Sequence, residues 1–353
     1  MKKLLLFSIA ALAFTACSND ETVSENSAVN QQREIAFSAV SQKATRAAVD
    51  GTTFPTDQDM TVTAYLVEPV ASAGVYFDAT TFKYNYAEGA TGGTNNYWGG
   101  ETAKYWPLTP CYINFLAIAN ANANSDSDSD SDNPDNATTV TWGTNKADKV
   151  TIVMSDNSSD QLDLMYAIGK GEVTQQSDNT LTFPTKVDMT FKHALAWIDF
   201  KVKSNSATVP GITVNSITLT GAKYSGTYTV THANYNARTG QSVTGAWSAL
   251  GTAKNIAVPG WTAADLTDSF VKVGSGLLIV PDDAATGDFT SFTINYTYGG
   301  KSYDYTYTPT STQVEQGKHY IYEITFKLHE IFINPTVTDW VDQTATEVTV
   351  NLQ

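Results

Sequence analysis

Short alternations of apolar and polar residues run along most of the chain. In residues 34–40, EIAFSAV, the side chains of Ile35, Phe37 and Ala39 fall on one face and the intervening residues on the other. A period of two is the period of a half-buried β-strand. The segment therefore predicts a first strand with an apolar inner face.

Similar strand-like runs continue to the end of the chain. They are rich in Thr, Val, Ile, Tyr and Phe, and residues that favour turns separate them. Gly299 and Gly300, between two Tyr-rich alternations, predict a β-hairpin. Many short strands with frequent turns predict an all-β fold of the sandwich type. The further predicted strands are residues 60–67, 112–119, 149–154, 186–204, 211–224, 226–232, 275–281, 289–309, 319–333 and 347–353.

A second series of strands begins with the apolar run FKHALAWIDFKV at residues 191–202, which follows a turn-rich segment. A chain of 353 residues is long enough for two ordinary domains. We therefore expect two β-sandwich domains, residues 47–187 and 188–353.

The amino terminus has the pattern of an export signal. Two lysines precede an apolar run, residues 4–14, that is too short to span a membrane. Small residues then precede Cys17, as in the signals of bacterial lipoproteins, which this start resembles. We expect a signal peptide over residues 1–16 and a lipid on the Cys17 thiol that tethers the precursor to the outer membrane. A plain secretory signal is the alternative.

Charge and cysteine content limit the partners. The formal net charge of −15 argues against nucleic acid as a partner. Cys111 has no disulfide partner once Cys17 carries a lipid, so burial has to stabilise the fold. The acidic run at residues 124–136, NSDSDSDSDNPDN, predicts a solvated loop, with Ca²⁺ binding through its carboxylates as the alternative.

Catalytic patterns are missing from the sequence. The four histidines show no metal-ligand spacing, and no nucleophile elbow, phosphate loop or dinucleotide fingerprint occurs. His193 lies in an apolar stretch and is expected to be structural, and Cys111 is expected to be a small buried residue. We therefore expect neither an enzyme nor a bound metal ion or cofactor.

Four aromatic residues lie within ten positions: Tyr97, Trp98, Tyr105 and Trp106. Packing in the core is the interpretation that we favour, because such side chains bury large apolar areas. Exposed rings would instead favour a second hypothesis, a monomeric surface lipoprotein that binds glycans.

Several short motifs together resemble the fimbrillin family, the major-fimbrium-like pilins of the Bacteroides group. The resemblance covers nearly the whole chain after Cys17, and the shared order of the motifs is more specific than any one of them. The motifs are EIAFSA (34–39), ATRA (44–47), YWP (105–107), DLMYA (163–167), FKHALAWIDFKV (191–202), LLIVP (277–281), GKHYIYEITF (317–326) and VTDW (337–340).

The resemblance implies two transthyretin-like β-sandwich domains and a structural pilin subunit of cell-surface fimbriae that supports adhesion. It implies delivery to the cell outer membrane as a lipoprotein and cleavage by a trypsin-like or arginine-specific protease. Loss of the first strand would open a groove that a strand of another pilin subunit fills. A host or bacterial surface molecule is the expected adhesion ligand.

Arg46 and Ala47 form the candidate cleavage site, because they lie in a polar, small-residue segment after the first strand. Cleavage between them would remove residues 17–46, the lipidated leader together with the first strand. Arg33 and Lys43 are competing cleavage sites.

The last predicted strand, residues 346–353, is the candidate donor strand. Val348, Val350 and Leu352 alternate along it, as pairing with an open sheet edge requires. The alternative is an ordinary last strand that pairs within its own domain.

Overall fold

The structure, a computed structural model, describes residues 33–41, 44–45, 48–49, 54, 56, 58–84, 97–100, 102–119, 139–154, 163–204, 211–282, 287–327 and 330–339. The described strands lie within one compact unit, Gln32–Gln353. Among these residues no helix is long and apolar enough to cross a membrane. The predicted all-β, sandwich-type fold is confirmed, and the described residues include one short 3-10 turn at Val70–Ser72.

The described strands, numbered in chain order, are β1 (Phe37–Ser41), β2 (Ala44–Thr45), β3 (Ala48–Val49), β4 (Met60–Glu68), β5 (Gly74–Tyr84), β6 (Trp98–Gly100), β7 (Cys111–Ala119), β8 (Thr139–Gly143), β9 (Lys146–Met154), β10 (Met165–Gln175), β11 (Leu181–Thr182), β12 (Val187–His193), β13 (Ala196–Ser204), β14 (Thr213–Ala222), β15 (Gly226–Ala233), β16 (Ser242–Ser248), β17 (Lys254–Ala257), β18 (Ala264–Asp265), β19 (Val271–Lys272), β20 (Leu277–Ile279), β21 (Ser291–Tyr298), β22 (Lys301–Tyr307), β23 (Lys318–Lys327) and β24 (Glu330–Asp339).

The first half of the chain forms a closed ring of strands. Its order is β10–β12–β1–β6–β5–β4–β7, and β7 pairs with β10 to complete the circle. β7 is buried along its whole length, because one face lines the interior of the ring and the other lies under a neighbouring sheet. Burial on both faces explains why its sequence, CYINFLAIA, is almost continuously apolar.

Two further sheets pack face to face as a sandwich. One has the order β19–β13–β23–β24, with β20 also on β13, and the other has the order β17–β14–β21–β22, with β18 also on β14. Phe292 joins them, with its ring centroid 4.9 Å from that of Phe200 and 5.0 Å from that of Tyr322. The predicted hairpin is confirmed, since Gly299 and Gly300 link β21 to β22 with φ of 59° and 74°.

A four-stranded sheet combines the two halves of the chain. Its order is β16–β15–β9–β8, so β9 from the first half pairs with β15 from the second. Its inner face packs on the outer wall of the ring, where Tyr228 meets Tyr166 with ring centroids 5.6 Å apart. The predicted domain boundary at residue 187 falls at the start of β12, which pairs with β1 inside the ring. That boundary stays a prediction.

Candidate functional site

The first strand completes the ring. β1 pairs in parallel with β12 over five positions, from Phe37 opposite Val187 to Ser41 opposite Phe191. On its other side it pairs with β6 at one position, Phe37 opposite Trp98. A strand with neighbours on both sides leaves two open edges when it departs.

The residues before β1 extend the same strand path. The Ile35 N–H donates a hydrogen bond to the Lys104 carbonyl oxygen at 2.6 Å, and the Trp106 N–H donates to the Arg33 carbonyl oxygen at 2.9 Å. Residues 33–41 therefore connect β12 to the segment around residues 98–106. We call the space that residues 33–41 occupy the strand slot.

The inner face of the first strand is the one that the sequence predicts. Ile35 and Phe37 are 0% exposed and Ala39 is 6% exposed. Phe37 makes edge-to-face contacts with Phe82 and Phe115, at centroid distances of 4.8 and 5.3 Å. Burial of Ile35 and Phe37 contributes about 1.5–3 kcal/mol each to stability. The slot is therefore an apolar cleft whose filling by the first strand stabilises the fold.

The outer face of β1 is more exposed than the inner face. The Ser38 hydroxyl donates a hydrogen bond to the Asp188 carboxylate on β12, and Val40 is 46% exposed. The slot therefore suits a strand that has apolar side chains on its inner face and, on its outer face, a hydroxyl that can donate a hydrogen bond to Asp188.

Several predicted site residues lie outside the described residues: Cys17, Arg46, Ala47, Val348, Val350 and Leu352. On either side of the candidate cleavage site the backbone is described. There β2 and β3 pair antiparallel, with Ala44 opposite Val49 and Thr45 opposite Ala48.

The aromatic cluster belongs mainly to the core of the ring. Trp98 is 3% exposed and Trp106 is 1% exposed, which confirms core packing for both. Tyr105 is 36% exposed. The two tryptophans therefore present no open face to a sugar ring.

Two titratable side chains of the ring of strands, His193 and Cys111, are structural. His193 is buried, with Nδ1 2.9 Å from a carboxylate oxygen of Asp163. Burial raises the pKa of the Cys111 thiol to about 11, so the reactive thiolate is scarce at neutral pH. Within the described ranges, no group of three His, Cys, Asp or Glu residues is placed to hold a metal ion. The arrangement suits binding of a strand and offers no catalytic constellation.

A loop that sequence reasoning missed supports the wall of the ring opposite the slot. It connects β15 to β16, and the Asn114 side chain on β7 donates hydrogen bonds to its Tyr235 and Ala237 carbonyl oxygens at 2.6 and 2.9 Å. The Arg238 guanidinium donates to Glu68 and Glu172 at 2.6 and 2.5 Å. These partners are far apart in sequence, so no local pattern indicates the contact.

Solved structures of similar proteins include examples from Bacteroides and Porphyromonas. A proposed cell adhesion protein of Bacteroides uniformis has a TM-score of 0.48 and 17% identity, with coverage of 87% of this chain and 99% of that one. A fimbrial protein of Bacteroides vulgatus has a TM-score of 0.48 and 16% identity, covering 88% and 100%. The tip fimbrial protein Mfa3 of Porphyromonas gingivalis has a TM-score of 0.42 and 11% identity, covering 88% and 100%.

No curated protein matches the sequence. The model of the fimbrillin-like family matches residues 17–340, nearly all of the chain that follows the predicted signal peptide. This match agrees with the family that the motifs resemble, and the chain belongs to the fimbrillin-like family.

Proposed function

We propose that this protein is a structural subunit of cell-surface fimbriae that assembles by strand exchange after a protease removes its first strand. Membership in the fimbrillin-like family supports a fimbrial, non-enzymatic subunit. The observation that carries the finer proposal is the position of residues 33–41, in which β1 closes the ring of strands and Ile35 and Phe37 fill its apolar interior.

The closed ring of β-strands gives a physical reason for strand exchange. Loss of residues 33–41 leaves an unpaired edge on β12 and uncovers Phe82 and Phe115, which Phe37 otherwise contacts. Unpaired backbone groups and exposed apolar area both favour the entry of another strand. Such β-augmentation combines backbone pairing with side-chain pockets that select the partner.

Cleavage between Arg46 and Ala47 fits this route. It falls after Ser41, the last residue of β1, so the lipid-bearing leader and the strand would leave together. Cleavage after Lys43 would have the same consequence. Cleavage after Arg33 would leave β1 attached, because Arg33 precedes Ile35 and Phe37.

The donor in this proposal is residues 346–353 of another subunit, with Val348, Val350 and Leu352 entering the slot. The alternative, an intradomain last strand, is distinguished by deletion of the segment. The lipid on Cys17 serves delivery to the outer membrane and is lost with the leader. The assembled subunits then support adhesion to a host or bacterial surface ligand.

Trypsin treatment of the purified precursor tests the proposal. We expect loss of the residues before Ala47, followed by a ladder of oligomers and by filaments visible in electron micrographs. The double variant Lys43→Gln/Arg46→Gln should block both steps, because trypsin can remove the first strand by cutting after either residue. The matched variant Arg33→Gln should leave both steps intact.

Two results would contradict the proposal. One is a trimmed protein that stays monomeric at high concentration. The other is a monomer that binds polysaccharide and loses that binding on Tyr105→Ala, which would favour the glycan-binding alternative.

A further inference from the structure

We infer that the donor segment of a second copy of this chain enters the strand slot antiparallel to β12, opposite in direction to the β1 strand that it replaces. The inference rests on the proposed strand exchange. It adds the direction and the register of the partner strand, which the side chains of the slot determine.

The first reason is the taper of the slot. The inner side chains of the first strand are large at Ile35 and Phe37, both 0% exposed, and small at Ala39, which is 6% exposed near the end of β1. Close-packed interiors tolerate swaps that conserve volume and resist added methylene groups. A replacement strand therefore fits best with its largest aliphatic residue at the Ile35 end and a smaller one at the Ala39 end.

The donor sequence matches this taper in one direction. Antiparallel entry puts Leu352 in the place of Ile35, which has the same number of carbon atoms, and Val348 in the place of Ala39. Parallel entry would put the larger Leu352 at the Ala39 end and leave the Ile35 pocket underfilled. Val350 takes the place of Phe37 in both directions, so it does not discriminate between them.

The second reason is the backbone ladder. β12 provides five of the paired positions of β1, whereas β6 provides one. Parallel pairing is slightly less stable per residue than antiparallel pairing. Reversing the strand improves the five-position ladder with β12 at the expense of two antiparallel positions on the other side, Phe37 opposite Trp98 and Glu34 opposite Tyr105. Exchange thus replaces β1 by a strand that pairs better with β12.

The third reason is the outer face. Ser38 donates its hydroxyl hydrogen bond to Asp188, the residue opposite it on β12. With Val350 in the place of Phe37, antiparallel entry puts Thr349 opposite Asp188, and its hydroxyl can make the same bond. Parallel entry would put the amide side chain of Asn351 there instead.

Chemical cross-linking in assembled filaments tests the direction. Thr190 and Val40 lie opposite each other and are both exposed, so cysteine is tolerated at each position. Antiparallel entry places Glu347 opposite Thr190, and parallel entry places Gln353 there. The variants Thr190→Cys/Glu347→Cys and Thr190→Cys/Gln353→Cys are assembled with trypsin and treated with a short bismaleimide.

We expect the Thr190→Cys/Glu347→Cys variant to give a ladder of covalent oligomers on a denaturing gel and the Thr190→Cys/Gln353→Cys variant to give none. The uncleaved Val40→Cys/Thr190→Cys precursor, with Cys17→Ser, is the positive control, because it shows that the reagent can link cysteines at opposite positions of the two strands. Cys111 is buried and does not compete for the reagent.

A ladder from the Gln353→Cys variant would overturn the antiparallel direction. Filaments that form without a ladder from the Glu347→Cys variant would overturn the direction or the register, and leave strand exchange intact. If the unsubstituted chain forms no filaments, strand exchange fails, and the inference fails with it.

Discussion

The ring of Phe37 stands almost perpendicular to the ring of Phe82, at an interplanar angle of 88° and a centroid distance of 4.8 Å. Phe37 belongs to the strand that the proposed cleavage removes, and Phe82 belongs to a strand that remains. The same contact therefore stabilises the precursor and, once Phe37 has left, becomes part of an open pocket.

Phe37→Ala should destabilise the precursor by about 3–5 kcal/mol in urea unfolding, because it removes a fully buried ring and leaves a cavity. Val40→Ala on the same strand should change stability by less than about 0.5 kcal/mol, since Val40 is 46% exposed. After trypsin trimming at Arg46 both variants should be as stable as the trimmed parent. A persistent difference would show that β1 had not been removed.

Gly171→Ala should destabilise the protein by about 1–3 kcal/mol, because an added Cβ would lie 2.2 Å from the Trp106 ring, which is buried. Gly74→Ala is the matched control, since nothing lies within 4 Å of its added Cβ. Thermal unfolding of both variants measures the difference. Equal midpoints would mean that the Trp106 ring moves aside without cost.

Asn114→Ala should cost more than Arg238→Ala, although both remove contacts with the β15–β16 loop. Asn114 is 0% exposed, and its loss removes the hydrogen bond to the Tyr235 carbonyl oxygen at a cost of about 1–3 kcal/mol. The Ala237 carbonyl oxygen keeps its hydrogen bond from the Gln241 side chain. The Arg238 ion pairs are partly exposed, which limits their contribution to about 1 kcal/mol and makes it sensitive to salt. Urea unfolding at two salt concentrations tests this order, and a larger, salt-independent effect of Arg238→Ala would contradict it.

Acid should weaken the four-stranded sheet through His232. Burial lowers the pKa of His232 to about 4 from its ordinary value of 6.5, while its Nδ1 donates to the Ala147 carbonyl oxygen at 2.9 Å. The unfolded chain therefore binds the proton first, and this contribution to stability is lost as the pH falls from about 6.5 toward 4, by up to about 1.4 kcal/mol per unit.

His232→Gln keeps a donor for Ala147 but does not titrate. Its thermal midpoint should fall less steeply than that of the parent over the same pH interval. Parallel curves for the two proteins would show that His232 makes no contribution to the acid sensitivity.

Deletion of residues 346–353 should abolish oligomer formation by the trypsin-trimmed protein and leave its thermal midpoint within about 2 °C, because a donor strand makes its contacts in another subunit. A fall of about 8 °C or more would show that the segment pairs within its own domain. Replacing Thr349 alone by Ala is a milder control that should slow assembly without preventing it.

Much of the fold follows from local pattern. The alternation of Ile35, Phe37 and Ala39 predicts both the first strand and its buried face. The paired glycines at 299 and 300 predict the β21–β22 hairpin, because their positive φ angles suit a two-residue turn. The sequence did not predict β5 or β6. The pairing of β5 with β4 is interrupted by register shifts. β6 has only three residues, and two of them are glycine.

The sequence by itself determined that the chain is all-β, that Ile35 and Phe37 point inward, and that its motifs are those of a fimbrillin-like protein. Only the tertiary structure decided that β1 closes a ring, which residues line the slot, and that β9 pairs with β15 across the two halves of the chain. Alternation along a strand depends on neighbouring residues and is visible in the sequence. The main partner of β1 lies more than a hundred positions away, with Val187 opposite Phe37, and only the packing of the folded chain selects it.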